Sequence, residues 1–428
     1  MSNAVEHLTI ETTYVHAEES SKVISLRYLF FTFFKIGLLS FGGHMALISV
    51  IQRVMVDKDK IIEDEVIMSS VGVASFLPGP LAVNVVGQVG YHVRGTIGAL
   101  VSSIAVILPS FLLILLIAWQ YFAHQQMQSW QEATRYVVGA VSALIFTTAL
   151  QLFKKEVQGK SKKMFLFIIA VAILLVFNNY FVTIALLIAG GLAGMLMKIQ
   201  APLTQKVVAL NEPVDHTSRP AGIHWKHHFN QLLFLILGVN QVLFFSKISR
   251  DLNPLNLRII SIFSGISLSL FGGGYVMIPI MESLFVTDLH WLTSKEFVDA
   301  IAFSQATPGP ILISAAFIGY KIAGIIGALL ATVAIFAPSV FLVINVSRFI
   351  NGYKNNDVLA NLLGGIKTVV VALILSSGYR LFSTGHLDVY LVAVLLITFL
   401  LNFHFKVSPV YLILGAILFG ILKNSLIW

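Results

Sequence analysis

Phe41-Gly42-Gly43 is followed 37 residues later by Pro78-Gly79-Pro80, and Phe271-Gly272-Gly273 is followed, again 37 residues later, by Pro308-Gly309-Pro310. Both copies sit in long apolar stretches, where two prolines beside a glycine are hard to fit into a helix. Proline removes a backbone donor and clashes with the preceding turn, and glycine frees the backbone. In lipid, such a break survives only where protein buries it or where it lines a cavity. A matched pair of interrupted apolar segments, one per half, is the sequence pattern of a carrier's binding site.

Composition points the same way. The chain has 428 residues, 57% hydrophobic and 11% charged, which is too apolar for a soluble globular protein. Ile97 to Trp119 and Ile325 to Val346 carry no charge and are long enough to cross hydrocarbon. A polytopic, all-α membrane protein follows. The net charge of +8 does not imply nucleic-acid binding, because Lys and Arg concentrate in short loops such as Lys154, Lys155, Lys160, Lys162 and Lys163. With no cysteine, disulfides, thiolate metal sites and cysteine nucleophiles are excluded. The first residues are polar, with Glu6, Glu11, Glu18 and Glu19, and read as a tail rather than a signal peptide.

The repeat extends beyond the two motifs. Gly90-Tyr91, Gly95 and Gly98-Ala99 match Gly319-Tyr320, Gly324 and Gly327-Ala328, offset by 229. Pro109-Ser110 matches Pro338-Ser339, and Leu152-Phe153 matches Leu381-Phe382. The expected organisation is a polar tail (1–27), a first transmembrane repeat (28–199), a polar linker (200–228), a connecting apolar segment (229–257) and a second repeat (258–428).

Charge bears on the relative orientation of the copies. In the first, the loop after the third span (120–134) has no Lys or Arg, while the loop after the fourth carries five lysines. In the second, Arg348 and Lys354 follow the third span, and Ser383 to Leu387 after the fourth holds neither. The reversed bias predicts inverted-topology repeats. The run at 229–246 could supply the odd crossing, although Lys247, Arg250 and Arg258 would then lie outside.

A helix starting just after each Pro-Gly-Pro would place its second proline where no donor is needed. Its free N–H groups and positive dipole end would then face a cavity, and two such ends would bracket an anion. Asn84 and Gln88 share a helix face beyond the first break; Asn84 aligns with Ser314 and Gln88 with Ile318. Ser304, Gln305 and Thr307 add polar groups beside the second. The bland alternative is that these prolines only kink packed helices. The Phe-Gly-Gly segments are followed by His44 in the first copy and by Gly274 and Tyr275 in the second. They permit an unwound turn or simply close helix packing. His44 is the neutral-range titratable group beside the motifs.

Ionisable residues within apolar runs are functional candidates. They are Lys35, Glu282, Asp299 and Lys367, with Arg94 and Lys321 just beyond the proline-bearing segments. Lys35 lies six residues before Phe41, about 9 Å along a helix, and could assist an anion site. Asp299 could pair with a lysine or carry a proton, while any of these groups near an interface would only snorkel. His224, His227 and His228 lack a completing carboxylate cluster, so no metal is expected there. No phosphate-binding loop, dinucleotide fingerprint or H-E-x-x-H occurs, and no cofactor or enzymatic activity is implied.

The motifs resemble those of the chromate ion transporter family, whose long-chain members have two homologous halves. In each half an F-G-G is followed by a P-G-P and a G-Y…G…G-A run, which here are Phe41-Gly42-Gly43, Pro78-Gly79-Pro80 and Gly90-Tyr91…Gly98-Ala99, then Phe271-Gly272-Gly273-Gly274-Tyr275, Pro308-Gly309-Pro310 and Gly319-Tyr320…Gly327-Ala328. Two departures concern the first half: His44 replaces a commoner third glycine, and the second half's Trp291-Leu292-Thr293 has no counterpart. The resemblance implies chromate export across the cytoplasmic membrane of a bacterium, conferring resistance, with sulfate as the look-alike anion. A dianion leaving an inside-negative cell gains roughly 4.6 kcal/mol per 100 mV, so export needs no ATP. The competing readings are a sulfate or other anion carrier, an anion channel, a cation carrier and an intramembrane enzyme. A cation carrier is disfavoured because no carboxylate lies within eight residues of either Pro-Gly-Pro. The expected partners are the anion and the lipid bilayer, without nucleic acid. The oligomeric state stays open, a homodimer among the options.

Overall fold

The computed structural model describes residues 24–41, 44–75, 77–124, 127–177, 179–199, 255–271, 274–346, 357–385 and 388–426. The polar tail, the linker, the run at 229–246, the three linker histidines and the loop holding Arg348 and Lys354 lie outside these residues, as do Gly42, Gly43, Gly272 and Gly273.

Every described element is helical. The first half comprises α1 (Leu26–Leu39), α2 (His44–Ile51) continued by a π-helical turn (Gln52–Lys58), α3 (Asp64–Ala74), α4 (Leu81–His124), α5 (Gln128–Thr134), α6 (Val137–Glu156), α7 (Ser161–Val176) and α8 (Tyr180–Leu196). The second comprises α9 (Leu255–Ser269), α10 (Met277–Met281) with a π-helical turn (Glu282–Asp288), α11 (Ser294–Ala306), α12 (Ser314–Val346), α13 (Asp357–Ser383), α14 (Val389–Phe403) and α15 (Pro409–Leu426). Among the described residues, four stretches are long and apolar enough to cross a membrane: Leu81–His124, Gln131–Glu156, Ile311–Asn345 and Ala360–Ser383.

Local chemistry sets the helix starts. The Ser25 hydroxyl accepts from the Tyr28 N–H at the head of α1, and Asn179 and Asp388 cap α8 and α14 in the same way. At α11 the Thr293 side chain accepts from the Glu296 N–H while the Glu296 carboxylate accepts from the Thr293 N–H, a reciprocal capping box. Along α1 the buried residues Leu29, Thr32, Phe33, Ile36 and Gly37 follow helical periodicity and form one stripe. That stripe packs on α4, as α9 packs on α12.

α4 spans 44 residues, about 66 Å if straight and twice a bilayer core. It is not straight. At Arg94 (φ −144°, ψ 25°) and Gly95 (φ 60°, ψ −150°) the chain reverses, and α12 does the same at Ala323 and Gly324 (φ 59°, ψ −147°). The Gly95 conformation is one that only glycine adopts without strain. The arms then lie so close that a Cβ on Gly98 would stand 2.2 Å from the Gly90 carbonyl oxygen, and one on Gly327 2.1 Å from that of Gly319. Residues eight apart in a continuous helix would be about 12 Å apart. Each Gly-Tyr…Gly…Gly-Ala run is therefore the tip of a helical hairpin: one glycine makes the turn and two let the backbones touch.

The halves interlock. The hairpins of α4 and α12 pack on each other, α6 packs against α14 and α15, and α13 against α7 and α8. At the α8–α13 crossing a Cβ on Gly365 would lie 1.9 Å from the Gly190 carbonyl oxygen, so small residues bring these backbones together. A buried apolar core runs continuously through both halves.

Candidate functional site

The Pro-Gly-Pro segments lie between helices, Pro78–Pro80 between α3 and α4 and Pro308–Pro310 between α11 and a short 3-10 turn (Ile311–Ile313) that leads into α12. In both, the central glycine has φ +105°, open to glycine at little cost. The Gly79 N–H donates to the Leu270 carbonyl at 2.8 Å, and the Gly309 N–H donates to the Ser40 carbonyl at 2.8 Å. Leu270 and Ser40 immediately precede the Phe-Gly-Gly motifs. Each half's Pro-Gly-Pro is thus tied to the doorstep of the other half's Phe-Gly-Gly. The same glycines abut the matched serines across the interface: a Cβ on Gly79 would be 2.3 Å from Ser339 Cβ, and one on Gly309 2.4 Å from Ser110 Oγ. The two Pro-Gly-Pro segments, Ser40, Leu270, Ser110 and Ser339, scattered over 300 residues of sequence, form one reciprocal knot.

A cavity opens at this knot. Its walls are Pro80, Leu81 and Ala82 from the first half, Gly274, Tyr275, Ser304, Gln305, Thr307 and Gly309 through Leu312 from the second, and Pro409 at the head of α15. The first turns after both Pro-Gly-Pro segments face the same space. The Asn84 N–H donates to the Pro80 carbonyl and the Ile313 N–H to the Pro310 carbonyl, so each second proline stands at the N-cap. The N–H groups of the intervening residues have no acceptor within a helix, and the dipole there is positive.

Polar side chains complete the walls. The Tyr275 hydroxyl donates to Gln305 Oε1 at 3.4 Å, while Gln305 Nε2 is buried and has no hydrogen-bond partner among the described residues. Gln88 Nε2 and Asn84 Oδ1 are likewise buried and unpartnered, while Asn84 Nδ2 donates to the Pro78 carbonyl at 3.2 Å and braces the first break. A buried polar atom without a partner is costly, and of these three residues Gln305 lines the cavity, where a ligand or water could satisfy its amide. Thr307 and Ser304 donate to backbone carbonyls of α11, and Ser314, the counterpart of Asn84, faces Met277 Sδ at 3.9 Å.

Other candidates are placed elsewhere. Lys35 is exposed, turned from the buried stripe of α1, and is not brought to the cavity. Phe41 is 46% exposed and Phe271 is half-buried. His44 opens α2. Arg94 is exposed at the first hairpin tip, and Lys367 is half-buried within reach of Glu156. No charged side chain lines the cavity among the described residues.

The buried acids, without obvious partners in sequence, have them in space. Both Glu282 oxygens are held by Arg380, Nε to Oε1 and Nη2 to Oε2 at 3.0 Å, with Ser377 donating at 2.6 Å. Asp299 accepts from the Tyr121 hydroxyl at 2.7 Å and from Lys295 at 3.3 Å, and Lys321 pairs with Glu296 at 2.7 Å. Arg380 and Tyr121 escaped the sequence reading. The available signal for Arg380 was a cation inside the apolar run 361–382, next to Leu381-Phe382 of the repeat.

Long apolar helices, a duplicated helical unit and a shared cavity at the joint of its copies define a multi-pass membrane transporter. The chromate transporter family model matches residues 27–195 and 257–421, and the chain belongs to that family. It is 27% identical to a chromate transport protein of Cupriavidus metallidurans over 97% of this chain and 98% of the relative. It is also 27% identical to a probable chromate transport protein of Synechococcus elongatus over 80% of this chain and 81% of the relative, and 26% identical to an uncharacterised transporter of the archaeon Methanocaldococcus jannaschii over 92% and 93%. No solved structure matches the chain.

Proposed function

We propose that this protein exports chromate across the cytoplasmic membrane by alternating access at the cavity between its two Pro-Gly-Pro segments, and so confers chromate resistance. The observation that carries the reading is that helix N-termini from both halves, Leu81-Ala82 and Ile311-Leu312, line one cavity together with the unpartnered Gln305 amide. A tetrahedral oxyanion needs several convergent donors and no acceptor, which is what two helix starts and an amide offer. The proposed contacts are the first-turn N–H groups following Pro78-Gly79-Pro80 and Pro308-Gly309-Pro310, with Gln305, Thr307 and Gly274 at the wall. Asn84, Gln88 and Ser314 support them from behind. Phe41, Gly42, Gly43 and His44 of the first half, and Phe271, Gly272 and Gly273 of the second, are proposed to take part in anion binding by virtue of their motifs. Lys35, being exposed, would act at most on the approach of the anion.

The repeats in this proposal are inverted, each with a helix break at membrane depth. Reciprocal Gly79–Leu270 and Gly309–Ser40 bonds support a two-fold relation between halves, and the reversed lysine bias supports an axis in the membrane plane. Rocking of one half against the other would then exchange access around a fixed site. With no fixed cation at the wall among the described residues, the anion is held by dipoles, and the membrane potential drives it outward by roughly 4.6 kcal/mol per 100 mV for a dianion.

The test is chromate flux into everted membrane vesicles, with sulfate as competitor and the potential clamped. Saturable, sulfate-inhibited accumulation is expected. Non-saturating conductive flux would mean a channel, and no flux under any gradient would overturn the substrate.

A further inference from the structure

Asp299 is a buried acid at the joint of the two halves that the cavity itself does not use. It is 1% exposed on α11, six residues before Gln305 and so about 9 Å from the cavity wall along the helix. Both of its hydrogen bonds fall on Oδ2, from Tyr121 of the first half at 2.7 Å and from Lys295 at 3.3 Å. No hydrogen bond reaches Oδ1 among the described residues. Lys295 is 45% exposed, so one face of the pair meets the surroundings. Its ammonium also donates to Thr134 at 2.8 Å and keeps that support if the carboxylate is neutralised. The charged and titratable groups facing Asp299 are Tyr121 from α4 and Lys295 and Glu296 from α11 itself. Lys321 of α12 is engaged by Glu296, and Lys423 of α15 by Tyr136 and Asp388.

We propose that Asp299 is a proton-binding site linked to the anion site: a proton on Oδ1 and an oxyanion in the cavity favour each other. The inference rests on the cavity reading above. Ionised, Asp299 cancels the charge of Lys295, and the cavity sees a neutral pair. Protonation removes a negative charge about 9 Å along the helix from a space otherwise lined by dipoles and leaves the Lys295 ammonium uncompensated, so a dianion in that space is stabilised. Linkage makes the effect reciprocal, so anion binding draws in a proton. The device occurs once: the first half carries Ser69 where the second has Asp299 and Glu65 where it has Lys295, so anion binding is linked to at most one proton at this place.

The test is calorimetric titration of the purified full-length protein with sulfate and with chromate across neutral pH. Buffers of different ionisation enthalpy count the protons. The wild type is expected to take up a proton on binding and to bind about tenfold more tightly as pH falls through the titration of Asp299. Asp299→Asn mimics the protonated form, so it should bind tightly at every pH with no uptake. Asp299→Ser installs the first half's residue and repeats the test if the amide variant does not accumulate. Wild-type proton uptake and pH slope in these variants would overturn the proton site and leave the cavity reading standing. Failure of the wild type to bind either anion would overturn the cavity reading and this proposal together.

Discussion

At Gly79 and Gly309 there is no room for a single methyl group against the opposite half. Alanine there meets both a left-handed φ of +105° and a serine of the opposite half within 2.4 Å, which together cost about 2–5 kcal/mol. Gly79→Ala and Gly309→Ala should lower the thermal midpoint of the purified protein and stop chromate flux. Adding Ser339→Gly to Gly79→Ala should restore part of the stability, since the clash is relieved but the backbone strain is not. The Glu282–Arg380 pair makes a second prediction. Glu282→Gln leaves a guanidinium that is 16% exposed without its carboxylate, at about 3–5 kcal/mol. The double variant Glu282→Gln with Arg380→Gln copies Gln52 and Gln151, the first half's residues at these places, and should regain much of that loss. Equal stability of single and double variants, read by thermal unfolding, would show the pair to be uncoupled.

Among the elements, the hairpins of α4 and α12 separate backbone strain from close contact. Gly95 has the strained backbone, but a Cβ added there would meet nothing within 4 Å, whereas Gly98 has ordinary backbone and a carbonyl oxygen 2.2 Å away. Gly95→Ala should therefore cost only the strain, about 1–3 kcal/mol, and leave flux measurable. Gly98→Val must push the two arms apart and should abolish assembly, seen as lost accumulation in the membrane. The reverse ranking would mean the turn, not the contact, holds the hairpin. The motif was legible as a repeat, but its purpose was not: spacing of five and eight residues suits a continuous helix as well as a reversed one, and only the distance between Gly90 and Gly98 separates them.

At the scale of the whole molecule, the interlocking of α6 with α14 and α15, and of α13 with α7 and α8, means neither half has a complete core alone. The inverted arrangement is checked by sidedness. The chain has no cysteine, so single reporters can be placed at the exposed positions Gln158 and Thr384, in the matched loops after α6 and α13. Inversion predicts labelling of Gln158→Cys from the cytoplasmic side and of Thr384→Cys from the outside by a membrane-impermeant thiol reagent. Labelling of both from one side would make the repeats parallel and remove the basis for alternating access by exchange of equivalent halves.

Sequence alone determined that this chain is a helical membrane protein made of one unit used twice, because apolar length, charge poverty and ordered recurrence of glycine and proline are properties of the chain itself. It also marked Asn84, Gln88, Gln305 and Thr307 as polar groups beside the breaks. Only the tertiary structure decided who meets whom. Gly79 bonds to Leu270 and Gly309 to Ser40, Glu282 finds Arg380, Asp299 finds Tyr121, and Lys35 turns away from the cavity. Such pairings join residues about 100 to nearly 270 positions apart, and no local propensity encodes them. They are set by which backbones can approach closely enough for a carbonyl, a hydroxyl or a carboxylate to replace the water that the membrane interior does not supply.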